Sequence, residues 1–191
     1  MGGFRTQSAN IVGAMPIVPD TKNWTWVLER ACPDCGFDAS AFGRDDIGRL
    51  IRENAAGWAR VLAQPDMARR TNGDMWSPLE YGCHVRDVYL ICEYRLGRML
   101  DEDAPTFDNW DQDETAEDDD YAHQHPVRVA AELDDAATHV AGRFDGLTAA
   151  QWARPGVRSD GARFTIESFG RYVVHDVVHH DYDLRVLGVG V

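Results

Sequence analysis

Seven histidines are spread through the 191 residues, and two of them stand at a spacing that can do chemistry. His175 and His179 are four apart in the run Arg171-Tyr172-Val173-Val174-His175-Asp176-Val177-Val178-His179-His180-Asp181-Tyr182. The run reads as a helix, with Thr165 as its N-cap and Gly188 as its stop. Residues four apart on a helix lie about 40° apart around the axis and one turn apart along it. Two imidazoles so placed can bind one divalent ion from one face. Asp176 follows the first histidine where zinc proteases carry Glu, so the general base of that motif is absent and a protease is not indicated. His180 points about 100° away from His179 and is not expected to share an ion with His175. The third ligand must come from elsewhere in the chain.

The helical wheel places Ser168, Arg171, Tyr172, Val178, Tyr182 and Val186 on the side of the two histidines. Ile166, Phe169, Val173, Val177, Leu184 and Leu187 form a neighbouring apolar arc. Glu167, Val174, Asp181 and Arg185 make a narrow solvent-facing strip. The histidine pair is therefore expected to face inward, beside a polar pocket.

Ser77-Pro78-Leu79-Glu80 is the clearest helix start in the chain. It combines an N-cap Ser, Pro at the first helical position and Glu at the capping-box position. His84 lies in the second turn of that helix. Glu80, Asp87, Val88, Ile91 and Arg95 share its face within about 60°, as a pocket wall would.

The elements that must position these groups are helical. Apolar residues recur at three- and four-residue intervals between Ile47 and Leu62, and again from Ala130 to Phe144 after Pro126. With the two helices above, the spacing predicts helices near 45–64, 77–100, 126–146 and 165–187. The fold class is all-α, a four-helix bundle with a long connection between helices 2 and 3. Residues 1–43 read as an N-terminal arm and irregular segment, with a short extended piece at Asn23 to Leu28, and residues 44–191 as the bundle domain. His123, His125 and His139 are expected at the surface.

Cys32-Pro33-Asp34-Cys35 is a CxxC. A zinc knuckle needs a second pair, and Cys83 and Cys92 are too widely spaced to supply it. A redox pair wants a thioredoxin-like context, which is absent. A tight turn holding two small buried thiols is the expected reading.

The net charge of -13 argues against nucleic acid and anionic membranes as partners, because both require basic surface. Most of that charge belongs to residues 101–120, which hold eleven acidic residues and no Lys or Arg. Like charge at that density, with Pro105 and Asn109, predicts an irregular and mobile connection, pinned by Phe107 and Trp110. A lid over the pocket is the functional alternative. The apolar run from Ile11 to Val18 is broken by Gly13 and Pro16, so neither a secretion signal nor a membrane span is expected, and the expected location is cytoplasmic.

A lone histidine early in helix 2, followed by His-x-x-x-His near the end of helix 4, resembles the DinB-like superfamily, including its maleylpyruvate isomerase type. The matching positions are His84, His175 and His179. Trp76-Ser77-Pro78-Leu79-Glu80 leading into Cys83-His84-Val85-Arg86-Asp87, and Leu147-Thr148 through Trp152, carry the same likeness. The resemblance implies a divalent metal, zinc or nickel, on those three histidines. It also implies a transferase or isomerase that uses a low-molecular-weight thiol such as mycothiol as co-substrate. Glu80, Asp87 and Asp176 are candidates to orient the ligand imidazoles, and Arg95, Arg171, Tyr172 and Tyr182 to contact an anionic or sugar-bearing substrate. The alternatives are a metal-dependent hydrolase on the same scaffold and a non-catalytic metal- or ligand-binding stress protein. The expected partners are a small-molecule substrate and a thiol, with a homodimer left open.

Overall fold

The computed structural model describes residues 17 and 23–190. Expectations for the rest of the first 22 residues lie outside the described residues. Among the described residues, five α-helices and three short strands follow one another: α1 (Ile47–Leu62), α2 (Pro78–Asp101), β1 (Thr106–Phe107), α3 (Gln112–Asp118), α4 (Pro126–Asp145), β2 (Pro155–Arg158), β3 (Arg163–Thr165) and α5 (Ile166–Val186).

The four long helices start and stop where local chemistry says they should. Ser77 Oγ accepts from the Glu80 N–H at 3.2 Å, and the Glu80 carboxylate accepts from the Ser77 N–H at 2.7 Å. That is a closed capping box with Pro78 at its first position. Thr165 caps α5 by accepting from the Ser168 N–H at 3.1 Å. Gly188, at φ 79°, ends α5 in the left-handed conformation that lets the Val189 N–H return to the Leu184 carbonyl.

α1 packs on α4 and α5, and α2 packs on the same two helices. Helices consecutive in the bundle, α1 with α2 and α4 with α5, thus face each other across its diagonals. The order around the bundle is α1-α4-α2-α5, which places the His84 face of α2 against an edge of α5. Trp58, Tyr89, Leu96, Leu133, Phe144 and Phe169 are fully buried between the helices. Each contributes about 1.5–3 kcal/mol by leaving water.

The strands correct the all-α expectation. β1, β2 and β3 form a small three-stranded sheet, β1 parallel to β2 and β2 antiparallel to β3. Strands of two to four residues are too short to show a period of two, and Arg, Gly and Pro at 154–163 read as loop. Gly156 lets the hairpin lie close to the body: a side chain there would meet Met99 and Phe107 at 2.8–2.9 Å.

The acidic connection is also more structured than its charge suggests. Its first part forms β1, with Phe107 buried. The Arg95 guanidinium donates to the Asp108 carbonyl at 2.7 Å. Asp111 caps α3 by accepting from the Asp113 and Glu114 N–H groups. Acidic residues in a first turn complement the helix dipole, so charge that looks repulsive in one dimension stabilises a helix start. Trp110 anchors the segment through its indole N–H, which donates to Thr115 Oγ1 at 2.7 Å.

Residues 24–28 form a 3-10 helix rather than an extended piece, because Asn23 Oδ1 accepts from the Thr25 N–H and caps it. The segment to residue 43 lies on the bundle. Cys32, Phe37 and Ala39 belong to the core, and Arg171 on α5 donates to the carbonyls of Ala39 and Phe42. The solvent-facing strip assigned to α5 needs correction as well, since Val174 is buried and Asp181 accepts from Asn54 Nδ2. His123, His125 and His139 are exposed, as expected. Among the described residues, no helix is long and apolar enough to cross a membrane.

Candidate metal centre and cavity

α5 carries four metal-binding side chains in two pairs, each four residues apart. His175 and His179 form one pair, and Asp176 and His180 the other. A step of one residue rotates the second pair by about 100°, so the two pairs serve different neighbours. Asp176 and His180 meet His84 from α2, while His175 and His179 meet Cys32 and Cys35. The structure thus divides the three histidines grouped by resemblance: His84 is with Asp176 and His180, not with His175 and His179. His180 takes part because it shares an ion face with Asp176, four residues before it.

In the first group, His84 Nε2 lies 3.4 Å and His180 Nε2 3.3 Å from the same oxygen, Asp176 Oδ1. Donors about 2.1 Å from one tetrahedral ion are about 3.4 Å apart, so this spacing suits a shared divalent ion. His180 Nδ1 lies 2.9 Å from Asp183 Oδ2. That contact holds a proton on Nδ1, so the nitrogen left to bind an ion is Nε2, once the ion displaces the proton Nε2 carries toward Asp176. The imidazoles of His84 and His180 meet edge to face, with centroids 4.6 Å apart. Trp110 stacks on the other side of His84 at 5.1 Å and 4°, and Trp76 flanks it at 5.2 Å. His84 is fully buried.

The electrostatics favour a cation. Burial alone would lower the basicity of His180, but the Asp176 and Asp183 carboxylates outweigh it and hold the imidazole up at about 9. Burial would likewise raise Asp176, yet hydrogen bonds from His180 and His84 hold its carboxyl well below the usual range. Burial, reinforced by the charge of His180, pushes His84 down, which keeps it neutral and able to donate a lone pair. Burial pushes His175 down to about 4 against the opposing pull of Asp176.

His175, Asp176, His179 and His180 of α5 all line a cavity of about 590 Å³, with His84 buried behind them. Its walls include Trp24, Trp76 and Trp110 together with Arg95, Arg158 and Tyr172. Asn109 to Asp113 of the acidic connection also border it. Arg158 is buried, held by the Asp160 carboxylate at 2.8 Å, and donates to the Tyr172 hydroxyl at 3.3 Å.

The other sequence candidates have different partners. Glu80 is buried against the Arg70 guanidinium and the Ser77 N–H, so it closes a helix cap instead of orienting an imidazole. Asp87 accepts from Arg86 and from the Tyr121 hydroxyl. Asp176 stands among the candidate ligands themselves. Arg95 and Tyr172 line the cavity, while Arg171 is spent on Ala39, Phe42 and Glu167. Tyr182 sits beside His179, ring centroids 5.8 Å apart. Arg158 and Asp183 are not among the sequence candidates, nor is a cavity-lining role for the tryptophans, although Asp183 stands three residues after His180, an i,i+3 pairing visible in the sequence.

A sequence model of the DinB superfamily matches residues 49–184. The chain belongs to the DinB superfamily. The matched span opens at Arg49 in α1 and closes at Leu184 in α5, so it covers the four long helices of the DinB bundle. In three dimensions the chain is similar to YfiT from Bacillus subtilis, described as a probable metal-dependent hydrolase with an unusual four-helix bundle topology. The two share 19% identity at a TM-score of 0.67, over 77% of this chain and 89% of that one. No curated protein sequence matches the chain.

Proposed function

We propose that this DinB protein is a metal-dependent hydrolase whose substrate is a small molecule bearing an anionic group. The observation that carries the reading is the convergence of His84, Asp176 and His180 beside a cavity that Asp176 and His180 line and that also presents two buried guanidinium groups. Two imidazoles and one carboxylate leave coordination positions open, the pattern of a catalytic rather than a structural site. A divalent ion, zinc or nickel, held there would act as a Lewis acid that makes a nucleophile available at neutral pH.

The protein's own residues then have clear tasks. Asp183 holds His180 in the tautomer that donates. Trp110 and Trp76 bury His84 and keep bulk water from its ring, which strengthens every charge interaction nearby. Arg95, and the Nη1 side of Arg158 beyond the fork that Asp160 occupies, offer N–H donors suited to a carboxylate or phosphate of the substrate. Tyr172 orients Arg158. The tryptophan walls suit an apolar or planar portion of a small molecule.

Hydrolysis is preferred over thiol transfer because the similar solved structure bears that description. The test is a panel of small carboxylated amides and esters, assayed with protein reconstituted with zinc or nickel, with and without added low-molecular-weight thiol. Metal-dependent turnover without thiol supports the reading. Turnover only when thiol is present replaces it with a thiol transferase. Stoichiometric metal and ligand binding without turnover in either arm replaces it with a binding protein.

A further inference from the structure

The proposed function gives no role to the CxxC motif or to the first histidine pair of α5, although His175 and His179 also border the cavity. Cys32 to Phe37 folds as a tight turn. The Cys32 N–H donates to the Phe37 carbonyl at 2.8 Å, and the Gly36 N–H to the Cys32 carbonyl at 3.0 Å. Gly36 takes φ 75°, which a side chain would disfavour. Burial pushes the Cys35 thiol up to about 11 and the Phe37 N–H only partly offsets this, so the sulfur ionises only with a cation beside it. The turn brings both sulfurs within 4.8 Å of each other and of a ring nitrogen of His175 and of His179. Cys32 Sγ lies 3.7 Å from His179 Nδ1. A sulfur at about 2.3 Å and a nitrogen at about 2.1 Å from one tetrahedral zinc ion are about 3.6 Å apart. His175 is 3% exposed, and its Nε2 has no hydrogen-bond partner. A buried polar nitrogen without a partner calls for a ligand.

We propose that Cys32, Cys35, His175 and His179 form a second, separate metal site, a closed Cys2His2 zinc site. Two thiolates and two imidazoles select zinc over harder ions such as magnesium or calcium, and four protein ligands leave no position for substrate. Binding releases the two thiol protons to solvent as the sulfurs become thiolates. The missing half of the CxxC knuckle is therefore His-x-x-x-His on α5, not a second cysteine pair. Trp24, with its ring centroid 5.0 Å from that of His179, and Phe37, at 5.2 Å from that of His175, cover the cluster with aromatic surface.

The site's role is structural. It staples residues 23–43 to α5, 140 residues and more along the chain. Each α5 ligand is followed directly by a member of the other group, His175 by Asp176 and His179 by His180. Fixing the first pair fixes the rotation of α5 that presents the second.

The test uses the full chain, purified with zinc, analysed for metal and then exchanged into cobalt(II). The expected protein carries zinc and, with cobalt, shows intense tetrahedral d–d bands with sulfur-to-cobalt charge-transfer bands in the near ultraviolet. Cys35→Ser should weaken the charge-transfer bands, and the Cys32→Ser/Cys35→Ser variant should abolish them with the loss of one metal equivalent. His84→Ala should remove the other equivalent and leave the thiolate bands in place, which separates failure of this proposal from failure of the hydrolase reading. A wild-type protein without thiolate–cobalt bands after reduction overturns the proposal, whatever the variants do. So does a Cys32–Cys35 disulfide that binds no zinc once reduced, or a spectrum unchanged in the Cys35→Ser variant.

Discussion

His180 and Asp183 meet within one turn of α5, Nδ1 to carboxylate at 2.9 Å. The contact holds a proton on Nδ1, so Nε2, which faces Asp176 at 3.3 Å, is the nitrogen that can give up its proton to join His84 and Asp176 around one ion. Replacing Asp183 by Asn keeps the size but lets the side chain present either an acceptor or a donor to Nδ1. Metal affinity at the His84 group should fall about 10–100-fold, with circular dichroism unchanged. Calorimetric titration with zinc in the Cys32→Ser/Cys35→Ser background isolates the site. Unchanged affinity would show that Asp183 does not orient the ligand.

Arg158 is the cavity's buried, preorganised cation. Its guanidinium is held by Asp160 and Tyr172, so little entropy is lost when it receives an anion. Arg158→Gln should raise KM for carboxylated substrates about tenfold or more while changing kcat less, as expected for removal of binding that is uniform along the reaction. Neutral analogues should be unaffected. Equal losses for neutral and anionic substrates would place Arg158 in the scaffold alone.

Much of this was legible in the sequence because the relevant signals are local. Ser77-Pro78-Leu79-Glu80 announced a capping box, and the three- and four-residue spacing of Ile47, Ile51, Trp58 and Leu62 announced a buried helix face. The partition of ligands was not legible. Spacing says that His175 and His179 share a face of α5, and it says the same of Asp176 and His180. Which face meets α2 depends on the helix rotation, set by tertiary contacts such as Arg171 with Ala39 and Phe42. The acidic segment misled for a related reason. Net charge counts its carboxylates, whereas its structure depends on where they sit, Asp111 at a helix cap, and on the aromatic anchors, Phe107 buried and Trp110 partly buried.

Gly170 lies where α5 packs tightly against side chains of α1 and α4. A Cβ there would stand 2.9 Å from Ile47 Cδ1 and 2.9 Å from Phe144 Cε1, both in fully buried side chains. Such contacts must relax by moving packed residues. Gly170→Ala should therefore destabilise by about 1–3 kcal/mol, against the slight gain Ala normally brings to a helix. Urea denaturation gives the answer, and a stabilised variant would show that α5 can shift freely.

Asp181 makes stability depend on pH. Burial pushes its carboxyl up to about 6, only partly offset by Asn54, whose Nδ2 donates to Oδ2 at 2.9 Å. Oδ1 is buried with no partner. Asn54 is itself fixed, donating to the Val177 carbonyl and accepting from the Tyr89 hydroxyl at 2.8 Å, so it cannot turn to offer more. A carboxyl whose pKa is higher in the folded than in the unfolded chain favours folding only while protonated. That contribution is complete below the unfolded value of about 3.9 and is lost as pH rises through about 6. At neutral pH the ionised group costs about 1–2 kcal/mol once partial solvent screening is allowed for. Asp181→Asn carries no charge at any pH and can still accept from Asn54. Its stability relative to wild type should therefore improve as pH is raised from about 4 to neutrality, then stay level. Urea midpoints measured across that range test this. A wild-type-to-variant difference that stays constant with pH would show that Asp181 titrates as an ordinary exposed carboxylate.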